Sequence, residues 1–281
     1  MMFNEDALDR RYLLRKYNDS KVMIVSDLHL GFEAEWSYRG LDTREPQWSF
    51  TIINNLKNDI KNTKPNYLII LGDLEHSFGH YRRSKEEIWI SNKWINERIF
   101  TQFLEQIVSV KDPEIILLRG NQDTSIIKAL EEYVTVYPAK GVSLFGNQLG
   151  VFHGNVNPIE EVILSSEIIL GHVHPAIELI DNLKVQHKIP VYAKLNLSRE
   201  EVFNIFNFYL DLEEVGLIEK VPITILPAYN HFLTGYTLNK KRRKKTTNRS
   251  YSSIRELIEH PKLEIRMTNG VDLGYLEDLF N

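Results

Sequence analysis

The 281-residue sequence predicts an α/β fold with buried sheets. Three observations lead there. Continuous apolar runs of three to five residues recur along the first two thirds of the chain, as expected for strands covered on both faces. Stretches with apolar residues at helical spacing lie between several of them, which is the pattern of an α/β architecture. Five of the runs also end in Asp, His or Asn beside glycine. At 43% hydrophobic and 26% charged, the composition is that of an ordinary globular protein able to bury a sizeable core.

Taken in order, residues 4–17 read as a short charged helix. Val22-Met23-Ile24-Val25 is the first strand. Ile52, Ile53, Leu56 and Ile60 mark a helix over 52–60 that stops before Lys64-Pro65. Residues 67–71 form the second strand, and 86–108 a helix carrying Ile88, Ile95, Ile99, Phe103 and Ile107. Strands follow at 115–118, 149–152 and 168–170, with helices expected at 125–133 and 158–165. Beyond 176 the pattern is less regular: a helix over 199–215, strands at 223–226 and 263–266, and short helices at 253–260 and 271–280. No internal repeat is present.

The bulk numbers narrow the function classes. With a formal net charge of -4, the molecule is not a polycation, so affinity for nucleic acid has to come from a local patch or from metals. The absence of cysteine removes disulfides, Cys-zinc sites and thiol nucleophiles. Residues 1–16 are heavily charged and lack an apolar stretch of signal-peptide type, and no run approaches a membrane span; a cytoplasmic protein is expected.

The chemistry sits at the strand ends. Asp27 and His29 follow the first strand in Ser-Asp-Leu-His-Leu-Gly, and Gly72-Asp73 follows the second. Gly120-Asn121 comes after the third, His153-Gly154 after the fourth, and Gly171-His172-Val173-His174 after the fifth. Strand C-terminal ends in α/β folds converge on one rim, where ligands bind. Glycine permits a tight turn and brings the backbone close to a bound group. Asp27 with His29, and His172 with His174, are spaced i, i+2, which in extended chain places both side chains on one side. Singly, each residue reads as a cap, a turn or a hydrogen-bonded histidine. Five consecutive strand ends supplying only Asp, His and Asn donors are hard to obtain from capping.

These motifs, in this order, resemble the calcineurin-like metallophosphoesterase superfamily. Asp-Leu-His-Leu-Gly at 27–31, Gly-Asp-Leu-x-His at 72–76 and Gly-His-x-His-Pro at 171–175 look like one branch, the archaeal and bacterial phosphoesterases associated with DNA ligases and helicases. Ile225-Leu-Pro-Ala-Tyr-Asn230 and Asp272-Leu-Gly274 resemble that branch's C-terminal portion. The resemblance is strong over 22–177 and thin afterwards, where 180–220 has the look of a lineage-specific insertion.

What the resemblance implies is a four-layer αββα sandwich with two mixed sheets. Residues 1–176 would form the core carrying the ligands. Residues 177–281 would complete the sandwich, with a helical insertion at 199–215 and a basic loop at 240–249. Two divalent ions are implied, one held by Asp27, His29, Asp73 and His174, the other by Asp73, Asn121, His153 and His172, with Asp73 bridging. Such ligands suit Mn, Fe, Zn, Ni or Co without choosing between them, and Mn is the ion expected. The implied reaction is hydrolysis of a phosphodiester by in-line attack of a metal-bridging hydroxide.

One departure stands out. The family's usual Gly-Asn-His-Asp/Glu is here Gly120-Asn121-Gln122-Asp123. The missing histidine is the one credited with contacting phosphate and protonating the leaving group, and a glutamine amide cannot deliver a proton. Gln122 is therefore expected to hold the phosphate with Asn121, and protonation to fall to water, to nothing, or to His76, which reads equally well as a structural residue. His80, His187, His231 and His260 have no motif context.

Substrate contacts are expected from Arg39 and Arg82, near the first two motifs, and from Lys241, Arg242 and Arg243 in the basic run. Arg44 and Arg83 could add charge, and Trp36, Tyr38, Phe78 and Tyr81 could stack on bases. A charge run is also ordinary in a solvated loop. The reading favoured is a nuclease or nucleic-acid phosphodiesterase, with a DNA repair or helicase partner in view. The alternatives are a phosphatase of nucleotides or other small phosphoesters, and an inactive scaffold on the same fold.

Overall fold

A computed structural model describes residues 9–34, 45–76, 97–123, 125–209, 220–240 and 252–280. Two sheets are stacked, each covered on its outer side by helices. The first contains β1 (Leu13–Tyr17), β2 (Ser20–Val25), β3 (Tyr67–Ile70), β4 (Glu114–Leu118) and β5 (Thr135–Tyr137), neighbours in that order. All of its pairs are parallel except β1 with β2. The second is built on β6 (Val142–Leu144), β7 (Leu149–Phe152), β8 (Glu167–Leu170), β9 (Pro175–Ile180), β10 (Gln186–Leu197), β11 (Val221–Ile225) and β12 (Tyr236–Thr237), in the order β12-β9-β10-β11-β8-β7-β6. It mixes parallel and antiparallel pairs, and β13 (Glu264–Met267) and β14 (Asp272–Tyr275) extend it from β10.

The alternation of inward-facing residues builds the core in layers. Val22, Ile24, Ile69, Leu71, Ile116 and Leu118 from the first sheet meet Leu149, Val151, Ile169 and Tyr192 from the second. The opposite face of the first sheet (Met23, Val25, Leu68, Ile70) packs on α1 (Gln47–Thr63), on a helix α2 described from residue 97 to 108, and on α3 (Ser125–Leu130). The opposite face of the second packs on α4 (Glu160–Ile163), α5 (Arg199–Phe206) and α6 (Ser252–Ile258). These four layers are the αββα sandwich that the motifs implied.

Register positions the site. Val25 lies opposite Ile70, and Ile70 opposite Leu117, so β2, β3 and β4 end level. Phe152 lies opposite Leu170, so β7 and β8 also end level. Within each sheet, the strands that precede the candidate ligands thus release their chains at comparable height.

Several expectations need correction. The charged segment 4–17 is not helical over its described C-terminal part: Leu13–Tyr17 is a strand, turned back onto β2 by Asn18 and Asp19, both at positive φ (46° and 65°). Such a two-residue turn matches the twist of a hairpin, a pairing gain that outweighs local helical propensity. The helix expected over 199–215 stops at Phe206, where Asn207 adopts the left-handed conformation and its N–H closes back on Asn204 and Phe203. Its start is a capping box of Ser198 and Glu201. Residues 271–280 form β14 and a 3-10 turn (Leu276–Leu279) rather than one helix, because β13 offers an edge to pair with. Within the stretch read as an insertion, β10 is a twelve-residue strand paired with β9, β11 and β13. The expectations for 86–96, 210–215 and 241–249 lie outside the described residues. Among the described residues, no helix is long and apolar enough to cross a membrane.

Candidate metal centre

The rim where β2, β3, β4, β7 and β8 end gathers all seven residues singled out as ligands. Asp27, His29, Asp73 and His153 are buried, His172 and His174 half-buried, and Asn121 exposed. Two groups emerge whose ligand atoms all lie within 4.8 Å of one another, Asp27 with His29 and His174, and Asp73 with His153 and His172. Asp73 joins them: its Oδ2 lies 3.7 Å from His29 Nε2 and its Oδ1 3.5 Å from His153 Nε2. Asn121 belongs to the second group, with Oδ1 3.2 Å from His153 Nε2.

The backbone does this differently from the extended-chain expectation. Asp27 (φ 57°), His29 (44°), Asp73 (46°), His172 (66°) and His174 (47°) all occupy the left-handed region. That conformation is uncommon outside glycine, and its concentration at one site is the signature of local strain held by the surrounding fold. The two i, i+2 pairs do not behave alike, although all four residues share that conformation. Asp27 and His29 share one group, whereas His172 and His174 part to opposite groups.

Neighbouring groups aim each donor. Asp27 Oδ2 accepts from the Ser26 hydroxyl and, at 2.9 Å, from the His172 N–H. Its Oδ1 is buried beside His174 Nε2 at 2.9 Å and lacks a well-directed donor. His153 Nδ1 donates to Leu71 O at 2.7 Å, which turns Nε2 toward Asp73 and Asn121. Asp73 Oδ1 accepts from the Gln122 N–H at 2.9 Å. The fit to metal ions is good. An orphaned buried carboxylate oxygen and inward-facing imidazole nitrogens form a donor set that two divalent cations would satisfy, and His29 and His153 have their other ring nitrogens engaged by His76 and by Leu71 O.

Electrostatics describe the same crowding. Burial works against the Asp27 carboxylate, but positive charge on His174, His153 and His29 outweighs it and holds the group well below the usual carboxylate range. For Asp73 burial is likewise overcome, chiefly by the hydrogen bond and charge of His153, so its carboxyl is lowered. Burial and the neighbouring His174 push His29 down to about 3; burial and His153 push His172 down to about 4. His153 overcomes burial through Asp73 and Asp27 and rises to about 9, and His174 is raised by Asp27. Carboxylates and imidazoles thus shift one another in opposite senses. Cation binding to such a cluster competes with protons for the imidazole nitrogens.

A family model, Calcineurin-like phosphoesterase, matches residues 20–260. The chain belongs to that family. A search of curated proteins returns no match. Among solved structures, the Pseudomonas putida nuclease MPE is similar at TM-score 0.48 and 15% identity, with 93% of this chain and 100% of that one covered. As a calcineurin-like phosphoesterase the protein is a metal-dependent hydrolase, and its two Asp/His groups are its candidate metal sites.

The remaining predicted site residues divide. Gln122 is half-buried at the rim, its Oε1 buried without a hydrogen-bond partner. His76 stands behind His29, with the two Nδ1 atoms 3.1 Å apart. Arg39, Arg82, Lys241, Arg242 and Arg243 lie outside the described residues, as do Arg44, Arg83, Trp36, Tyr38, Phe78, Tyr81 and His80.

Sequence reasoning missed three features around the centre. Asp123 accepts from the N–H groups of Glu75 and Gly120 at 2.9 and 2.6 Å, joining the β3 and β4 loops. Burial raises its carboxyl to about 7. A row of rings also leads away from the metal groups: Phe32 meets His76 edge-on at 5.2 Å, Trp48 lies 6.2 Å from Phe32, and Phe232 stacks on Trp48 at 5.0 Å. Last, Asn230 and Arg11 are buried behind the first ligand loop. Asn230 ends the Leu-Pro-Ala-Tyr-Asn motif, whose likeness to the family's C-terminal portion was its only visible signal.

Proposed function

We propose that this phosphoesterase holds two divalent ions, manganese first among the candidates, and hydrolyses phosphodiester bonds of nucleic acid. The observation that carries the two-ion reading is Asp73, whose two carboxylate oxygens face the two donor groups. Ions bound there would polarise a phosphoryl group and lower the pKa of bound water.

The chain's own residues have definable tasks in this scheme. Asp27, His29 and His174 serve the first ion; Asn121, His153 and His172 serve the second. Gln122, tied to Asp73 through its backbone N–H, carries a side-chain amide of a kind suited to donating a hydrogen bond to a phosphate oxygen. His76, engaged with the far edge of His29, is better placed to orient that ring than to protonate a leaving group.

Support for a nucleic-acid substrate over a small phosphoester comes from the aromatic row. Phe232 is 39% exposed at its outer end, and exposed rings are sequence-tolerant platforms for bases. We take residues 1–176 as the ligand-bearing part and 177–281 as the part that completes the second sheet and supplies Phe232. The absence of cysteine fits a reducing cytoplasm.

The deciding experiment is a manganese-dependent panel over nucleotides, single strands and duplexes, with Asp73→Ala as control. Cleavage of polynucleotide, lost in Asp73→Ala, is the expected result. Release of phosphate from nucleotides without strand cleavage would replace the proposal by a small-molecule phosphatase. Failure to take up any ion would leave the scaffold reading.

A further inference from the structure

Asn230 is fully buried, and it sits against the loop that carries Asp27 and His29. Three successive carbonyls of that loop are taken by two successive residues. Ser26 O accepts from the Tyr229 N–H at 2.7 Å, Asp27 O from the Asn230 N–H at 3.4 Å, and Leu28 O from Asn230 Nδ2 at 3.0 Å. The rest of Asn230 is equally committed. Its Oδ1 accepts from the Phe232 N–H at 2.8 Å, and its carbonyl accepts from buried Arg11 Nη1 at 3.1 Å.

The loop held in this way is the strained one. Asp27 and His29 flank Leu28 at φ 57° and 44°, so an unsupported turn would relax toward more populated backbone conformations. On its other side the same loop is fixed by Asp27 N to Gly72 O at 3.2 Å and His29 N to Asp73 O at 2.8 Å. Asn230 supplies the only side-chain bond recorded to the loop's backbone carbonyls among the described residues, and it reaches the residue between the two ligands.

We infer that Asn230 is a positioning residue for the first ion. By fixing the Asp27-Leu28-His29 turn it sets how well the first donor group binds metal, and Arg11 in turn fixes Asn230. The inference rests on the two-ion reading above, which it extends to a residue about two hundred positions away in the chain.

The test is manganese titration of the full chain, with wild type measured first, followed by Asn230→Ala. Loss of an outer support for a metal ligand typically costs ten- to a hundredfold in affinity, and that loss is expected at one of the two sites, with the other close to wild type. Wild-type affinity at both sites, or an equal loss at both, would overturn the inference, the second marking a general effect on the fold. Hydrogen exchange of the metal-free proteins gives an independent readout: protection over residues 26–30 should fall in the variant while β3 and β8 stay protected. Unchanged protection over 26–30 also overturns it. If Asn230→Ala does not fold, Asn230→Asp keeps the size and the acceptor for the Phe232 N–H, replaces the donor by a carboxylate oxygen facing Leu28 O, and should show the same loss of protection over 26–30. A wild-type chain that takes up no manganese sinks the two-ion reading; the exchange measurement then still decides whether Asn230 holds the turn.

Discussion

His76 Nδ1 lies 3.1 Å from His29 Nδ1, on the edge of the His29 ring away from the Nε2 that meets His174 at 3.3 Å. If His29 binds an ion through Nε2, its Nδ1 carries the proton and His76 accepts it, an arrangement that fixes tautomer and ring orientation together. His76→Ala is expected to weaken the first ion by about tenfold, with partial recovery in His76→Asn. The pH dependence of kcat should keep its shape. Loss of the basic limb alone in His76→Ala would instead assign His76 the role of general acid.

Gln122 occupies the position where the family carries histidine, and its amide cannot supply a proton. Diesters with good leaving groups should therefore be cleaved much faster than those with poor alkoxide leaving groups. Gln122→His should narrow that gap, since a positioned general acid contributes about 10²–10⁴-fold. Rates on a nitrophenyl and an alkyl diester, measured side by side, check this; no gain on any diester would count against the assignment.

Gly171 brings the β8 end against the first loop so closely that a Cβ there would collide with Ser26 Oγ and lie 2.7 Å from Asp27 Oδ2. Gly171→Ala has no room unless the Asp27 loop moves. Overpacking of this kind costs about 1–3 kcal/mol, and here it would fall on the ligand that His172 N–H also holds. Thermal unfolding should show a lower Tm, and manganese uptake should fall at the first site. A variant with normal Tm and two ions would show that the loop accommodates.

Asp9 is held below the usual carboxylate range. Burial opposes this, but hydrogen bonds from His231 and Thr268 and the charge of Arg11 outweigh it. A depressed carboxyl contributes stability above its unfolded pKa of about 4, which is lost as pH falls through the folded value. The side chain is 45% exposed, so solvent screening keeps the effect small. Asp9→Asn should be slightly less stable than wild type near neutral pH, with the difference vanishing in acid. Urea midpoints for both proteins across that range decide it; a constant difference would exclude the ion pair as its source.

The sequence alone determined the α/β class, because buried parallel strands need unbroken apolar runs such as Val22–Val25 and Ile115–Leu118. It also marked all seven rim residues, since donors beside glycine directly after such runs have few other uses. It misjudged Leu13–Tyr17 and 271–280, where antiparallel pairing with the neighbouring strand outweighed local helical propensity. The division of the donors followed from the family resemblance, but only the tertiary structure showed the backbone behind it: Asp27, His29, Asp73, His172 and His174 all adopt left-handed conformations that the i, i+2 extended-chain rule does not express. The packing of Asn230 and Arg11 behind Asp27 was invisible for a related reason. Hydrogen bonds between residues some two hundred positions apart leave no local pattern, and exist only once both sheets are in place.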